Sequence, residues 1–155
     1  MVAIDFQDLI ESFEFVSMAP PCENCAYICL DTGRTYWKSE LEPIGEELPD
    51  DLDTSDRFVM VPHPDDLGLG RELAQRFVRS KLPECAAEVD EIFRRKGAFS
   101  RFKNLLRSKS ALERWYDYET EAAERALRDW CRDQGIQLIE RGVDPGGQRG
   151  ISPVP

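Results

Sequence analysis

The sequence contains a single histidine, His63, and no apolar run near the roughly 20 residues that a membrane-spanning helix needs. Its first residues are acidic, where a secretion signal would have a cationic start followed by an apolar stretch. We therefore expect a cytoplasmic protein without a membrane partner. A catalytic zinc ion usually has three protein ligands, so one histidine also weighs against a zinc-dependent hydrolase.

The cysteines are five in number, and an odd count without a secretion signal argues against a disulfide framework. Cys22 and Cys25 form a C-x-x-C motif, which supplies half of a zinc site that Cys29, Cys85 or Cys131 would complete. A redox pair is a second interpretation, and plain thiols are a third. We expect no cofactor, with zinc at Cys22 and Cys25 as the alternative.

Basic residues are scarce in the first half of the chain. Residues 1–66 hold 16 acidic and 3 basic residues, a local net charge of -13, whereas residues 67–155 hold 14 acidic and 17 basic residues, a local net charge of +3. The acidic half would repel free duplex nucleic acid. Nucleic acid is therefore not the default partner of the whole surface.

The first half has the pattern of one helix and three strands. Apolar residues at helical spacing follow Asp5, a suitable N-cap, and predict a helix that ends before Met18. The runs AYICL and RTYWK flank an Asp-Thr-Gly turn and predict a β-hairpin. Residues 40–57 are acidic and predict a solvated loop, and RFVMVP predicts a third strand.

The second half has helical periodicity. Four helices are predicted: one that starts at Asp65 or Asp66, one around Val89, one from Ala98 to Ser108, and one that opens with a Ser110–Glu113 capping box and stops at Gly135. IQLIE predicts a last short strand. The fold class is α+β, a small antiparallel sheet packed with a C-terminal bundle of about four helices, in a single domain over residues 1–141. Residues 142–155 are predicted to be a disordered tail.

Residues 92–110, here called the basic segment, hold seven basic residues and no acidic one. Phenylalanines alternate with the cations, and their helical spacing predicts that the rings turn inward and leave a charged surface. The candidate binding residues are Arg94, Arg95, Lys96, Arg101, Lys103 and Arg107.

Three hypotheses account for the basic segment. The acidic first half neutralises it within the fold, an acidic protein partner binds it, or RNA or DNA binds it through phosphate contacts and base stacking. Exposed rings at Phe99 and Phe102 would favour nucleic acid, because buried rings cannot stack on bases.

Two motifs have simpler explanations than catalysis. His63-Pro-Asp-Asp66 resembles the metal-binding motif of zinc-dependent deacetylases, but the further histidine that this chemistry needs is missing, so a proline-terminated strand followed by an Asp-capped helix is the better explanation. Asp31-Thr32-Gly33 matches the triplet of aspartic proteases, and it is also a common hairpin turn.

The runs LPDDLDTSDRFVMVP, DLGLGRELAQRFV, IFRRKGAFSRFKNLL, LERWYDYE and ALRDWCRDQGI resemble uncharacterised protein family 0158, a set of bacterial proteins. The resemblance covers residues 5–140 and implies no established activity and no catalytic residues. The stretch PPCENC departs from the family, which reaches its first strand through a shorter turn without cysteines.

These observations predict a non-enzymatic interaction or regulatory protein that binds another protein. The alternative is an RNA- or DNA-associated factor that uses the basic segment, and a small zinc-dependent hydrolase is a remote third.

Overall fold

The computed structural model describes residues 1–40 and 47–140, which fall into two compact units. Of the described residues, the first unit comprises 1–40, 47–63 and 127–140, and the second comprises 64–126. The single domain over residues 1–141 therefore stays a prediction. The predicted disordered tail, residues 142–155, lies outside the described residues.

The first unit contains the strands and the first helix. Its elements in chain order are β1 (Val2–Asp5), α1 (Phe6–Ser17), β2 (Asn24–Cys29), β3 (Thr35–Ser39), β4 (Phe58–Met60) and, at its end, β5 (Ile136–Ile139). The Asp5 carboxylate accepts a hydrogen bond from the backbone N–H of Gln7 at 2.7 Å, which confirms Asp5 as the N-cap of α1. The helix ends before Met18, as predicted.

The antiparallel sheet has the strand order β3-β2-β4, which confirms the predicted hairpin and third strand. The hairpin pairs Tyr27 with Tyr36, and β4 pairs Met60 with Tyr27. Because side chains alternate along a strand, Cys25, Tyr27 and Met60 share one face of this sheet. The opposite face carries Ala26 and Ile28, both fully buried.

A second pair of strands, β1 and β5, runs parallel, with Ile4 opposite Leu138. The sequence patterns predicted β5 but not β1, since a four-residue strand gives too few alternations to stand out. The Arg128 guanidinium lies 4.2 Å from the centre of the Phe6 ring and donates a hydrogen bond to Glu140, so it contacts the residues that follow both strands at one end of this pair.

The second unit is helical. It contains α2 (Arg71–Lys81), α3 (Ala86–Ile92), α4 (Ala98–Ser108) and the first part of α5 (Leu112–Gln134), with single 3-10 turns at Pro64–Leu67 and Pro83–Cys85. The predicted start of α2 at Asp65 or Asp66 is wrong. Both aspartates lie in the 3-10 turn, and α2 begins after Gly70 because the glycines at 68 and 70 interrupt the helix.

The predicted capping box at Ser110 is also wrong. Ser110 has a φ of 55°, and it closes α4 instead of opening α5. Its N–H donates to the carbonyl of Arg107 at 3.1 Å, and the N–H of Ala111 donates to the carbonyl of Leu106 at 2.8 Å. These two bonds define a Schellman motif, so α4 takes Ser110 as its terminator. The predicted end of α5 at Gly135, where φ is 74°, is confirmed.

The helices and strands confirm the α+β class. Among the described residues, no helix combines the length and the apolar character that crossing a bilayer would require.

Candidate functional site

The basic segment is built from the end of α3, a turn and α4. Gly97 separates the two helices with a φ of 72°, a backbone conformation that glycine adopts without strain. The carbonyl of Gly97 accepts the first hydrogen bond of α4 from Arg101. The predicted bounds of α4, Ala98 to Ser108, are confirmed.

The phenylalanines of this segment form one aromatic cluster. The Phe93 ring lies 5.0 Å from Phe99 and 5.5 Å from Phe102, and Phe102 meets Trp115 edge to face at 5.1 Å. Phe102 is completely buried, as predicted, but 38% of Phe99 is exposed. The prediction of inward rings therefore holds for Phe102 and is only partly right for Phe99, which lies in the first turn of α4 and rests on Phe93 at the surface.

Five of the six candidate cations are exposed and Lys103 is half-buried. Arg94 forms an ion pair with Glu91 at 3.1 Å, and Arg107 donates a hydrogen bond to Asn104 at 2.8 Å. Three others have no ion pair within the described second unit: Arg95, Lys96 and Arg101. These three are the cations with most freedom to bind a partner.

The structure brings only some of the candidate residues together. Lys103 and Arg107 are one turn apart on the same side of α4, but Arg101 is about 160° around the helix axis from Lys103. The six cations therefore spread around the segment. They offer two sides to a ligand instead of one flat patch.

Tyr116 is a surface residue of this site that is not among the candidates predicted from the sequence. It is 42% exposed, and the Lys103 ammonium lies 5.7 Å from the centre of its ring. The sequence signal for its exposure is its position next to Trp115. Adjacent helical residues point about 100° apart, so the neighbour of a buried residue lies toward a different side of the helix. Burial raises the pKa of the neighbouring Glu119, and Lys103 opposes that shift. Lys103 is thus already engaged by two residues of α5.

The acidic loop of the first unit is not wholly solvated as predicted. Residues 41–46 lie outside the described part, but Leu52 is 95% buried against Cys25 and Tyr27. The Tyr27 hydroxyl donates a hydrogen bond to Asp53 at 2.5 Å, and Lys38 pairs with the same carboxylate at 3.1 Å. Both contacts hold the pKa of Asp53 below its usual value.

The C-x-x-C motif does not meet further metal ligands among the described residues, where no group of three or more ligand side chains converges. Cys22 is exposed with a φ of 76°, and Cys25 is buried with its thiol 3.7 Å from the carbonyl oxygen of Cys22. Burial, then the neighbouring Cys22, raises the pKa of Cys25, which disfavours the thiolate that zinc requires. Zinc at this pair stays a prediction without support from the geometry.

His63 lies with its Nε2 atom 3.0 Å from the carbonyl oxygen of Ala19. A carbonyl only accepts, so Nε2 carries the proton and donates it there. That nitrogen has no lone pair for a metal in this arrangement. The contact ties the chain after β4 to the end of α1, which is a structural role.

Asp31, Thr32 and Gly33 form the turn of the β2–β3 hairpin. The N–H of Gly33 donates to the carbonyl of Cys29 at 2.8 Å, and Gly33 has a φ of 79°. Burial raises the pKa of Cys29, but hydrogen bonds from the Thr32 side chain and from the backbone of Asp31 and Thr32 together bring it below its ordinary value. The turn interpretation of this triplet accounts for its geometry.

No curated protein and no solved structure matches this chain. A family model matches residues 25–148, which is most of the sequence. The match begins at Cys25, so it leaves out Cys22 and the prolines before it. The chain belongs to Uncharacterised protein family (UPF0158).

Proposed function

We propose that this chain is a non-enzymatic protein that binds an acidic surface of another protein through the exposed cations of its basic segment. The observation that supports the proposal is that the basic segment has a buried aromatic side and an exposed cationic side. Phe102 is fully buried and anchors the segment to Trp115, while Arg95, Lys96 and Arg101 are exposed without an ion pair in the described second unit. The cations therefore sit on a rigid support.

Electrostatics favour a protein over a long nucleic acid. The chain carries a net charge of -10, so a polyanion that extends beyond the basic segment meets repulsion. A compact acidic patch needs to cover only the segment, and charges farther away than about 8 Å are largely screened at physiological salt. Each exposed ion pair contributes about 0–1 kcal/mol, so several are needed together.

The proposal is tested by affinity capture from a nuclease-treated lysate of a native host, with the full chain as bait. We expect Arg95→Glu combined with Lys96→Glu to lose the captured protein. The matched control is Arg76→Glu with Arg79→Glu, which makes the same charge change on exposed residues of α2. Equal capture by both double variants would overturn the proposed surface.

Single-stranded nucleic acid is the second candidate, and one observation favours it. Phe99 and Tyr116 are 38% and 42% exposed, and Lys103 lies one helical turn after Phe99 and over the ring of Tyr116. Exposed rings beside a cation are suited to base stacking, which is worth about 1–3 kcal/mol per base.

Filter binding of a labelled oligouridylate across a salt series distinguishes the candidates. Nucleic-acid binding predicts retention at low salt, a steep loss of affinity as salt rises, and weaker retention for Phe99→Ala. Absence of retention at low salt removes this candidate and leaves the protein partner.

A further inference from the structure

Within the described part of the first unit, the outer edge of β4 has no neighbouring strand, although the outward N–H of Phe58 already donates to the carbonyl of Ser55 at 3.3 Å. The sheet order is β3-β2-β4, so β4 has β2 on one side and no strand on the other among the described residues. Edge strands present unpaired backbone N–H and C=O groups that accept a further strand. This edge belongs to the first unit and is independent of the basic segment.

The hydrogen-bond pattern shows which backbone groups face outward. The N–H of Val61 donates to the carbonyl of Ala26 at 2.8 Å, and the N–H of Leu30 donates to the carbonyl of Arg57 at 2.6 Å. In an antiparallel pair the residues that bond to the neighbour alternate, so 57, 59 and 61 face β2. The N–H and C=O of Met60 therefore point to the open side.

A groove of about 410 Å³ borders β4. All three residues of β4 line it, together with residues of β2 and of the loop before β4. Met60 is 46% exposed and supplies an apolar lining side chain.

The groove is acidic, which favours a positively charged ligand. Asp53 and Asp56 line it, and both are exposed. Lys38 partly neutralises Asp53, but Asp56 has no ion pair with any described residue of the first unit. An extended ligand with cations at alternate positions would place those cations on one face of the sheet, the face on which Asp53 lies with Tyr27 and Met60.

We propose that the outer edge of β4 binds an extended basic segment of a partner protein by β-strand addition. The backbone of the partner pairs with the N–H and C=O of Met60, and its Lys or Arg side chains pair with Asp56 and Asp53. The basic segment of a second copy does not fit this role, because α4 is helical and has no free backbone groups to add to a sheet.

The test uses the full chain, labelled with ¹⁵N, and a synthetic octapeptide of alternating lysine and valine. We expect the peptide to shift the backbone amide of Met60 with a saturable titration. Met60→Pro removes the outward N–H at a position where an edge strand tolerates proline, and it is expected to weaken affinity by about tenfold or more. Asp56→Asn is expected to weaken it by about two- to fivefold.

Controls separate strand addition from simple charge attraction. Glu11→Gln removes one exposed charge from α1 and is expected to leave the affinity unchanged. The same octapeptide with methyl groups on alternate backbone nitrogens keeps its charge but cannot pair, so it is expected not to bind. Equal binding of the methylated peptide, or an unshifted Met60 amide at about 1 mM peptide, overturns the proposal.

Two further outcomes also count against the proposal. Met60→Pro that folds, by circular dichroism, and binds the peptide as well as the natural chain contradicts pairing at this edge. If that variant fails to fold, the Asp56→Asn titration decides, and no loss of affinity there contradicts the assigned charges. Concentration-dependent dimerisation that blocks the Met60 shift would assign the edge to a second copy instead.

Discussion

Two tryptophans show how differently the two units are built. In the first unit, the Trp37 ring stacks on Phe15 at 4.6 Å, and its indole N–H donates to the Ser12 hydroxyl at 2.9 Å. In the second unit, Trp115 is completely buried, and its indole N–H has no hydrogen-bond partner among the described residues. The first ring combines stacking with a polar contact, whereas the second has aromatic contacts and no polar partner among the described residues.

The difference shows which interactions stabilise each unit and which surface side chains are left to contact a partner. Trp115 contacts Phe77 at 5.4 Å and Phe102 at 5.1 Å, so apolar burial offsets the cost of its unpaired N–H. The second unit therefore does not depend on ion pairs of the basic segment for its stability. In the first unit, by contrast, polar groups on the sheet face bind one another: the Tyr27 hydroxyl and the Lys38 ammonium both contact Asp53.

The largest expected effect comes from removing the aromatic anchor. Trp115→Ala is expected to lower the free energy of unfolding by about 3–5 kcal/mol, because it empties a fully buried site among packed rings. Urea unfolding followed by circular dichroism measures the change.

Trp115→Phe is the matched variant for this prediction. It keeps most of the ring contacts and removes the unpaired N–H, so its cost is expected to be below about 1.5 kcal/mol. A Phe variant as destabilised as the Ala variant would show that the indole N–H has a role that its surroundings do not reveal.

The same contrast explains what could be predicted from the sequence. Helical periodicity correctly predicted the burial of Phe102 and the bounds of α4. Ring exposure at Phe99 could not be predicted, since it depends on how Phe93 lies across the turn.

The first unit was harder to predict because its contacts join distant residues. Tyr27 and Asp53 are 26 positions apart, and β1 pairs with β5 across nearly the whole chain. No local pattern encodes such pairings. The outward edge of β4 depends on the sheet order, so the groove beside it had no signal in the sequence except the run of aspartates that lines it.

The second prediction concerns the polar anchor of the first unit. Ser12→Ala is expected to lower the free energy of unfolding by about 1–2 kcal/mol, because the indole N–H of Trp37 loses its acceptor. Ser17→Ala on the same helix is the control. Ser17 is exposed near the end of α1 and its hydroxyl donates back to the carbonyl of Phe13 on the same helix, so a change within about 0.5 kcal/mol is expected. Equal losses in both variants would contradict a specific role for Ser12.

The smallest expected effect comes from Tyr27→Phe, which removes the hydroxyl that bonds to Asp53. The loss at neutral pH is expected to be about 0.5–1.5 kcal/mol, since Asp53 is exposed and solvent screens the pair. Tyr36→Phe makes the same change on the paired residue of β3, whose hydroxyl has no hydrogen bond among the described residues, and is expected to have little effect.

The pH dependence distinguishes this contact from simple packing. Burial, then the bond to Asp53, raises the pKa of Tyr27 above its ordinary 10.0, so the stabilisation is complete below pH 10.0 and is lost as pH rises toward the folded-state value. The pKa of Asp53 is lowered from 3.8, so its contribution is present above that pH and is lost as pH falls through the folded-state value. Tyr27→Phe is expected to flatten both the acidic and the alkaline fall in the free energy of unfolding. Part of the alkaline fall remains in the variant, because the pKa of Lys38 is raised mainly by its hydrogen bond to Asp53, and the stabilisation by Lys38 is lost as pH rises above 10.5. Unchanged limbs in the variant would mean that the hydroxyl and the carboxylate are not coupled.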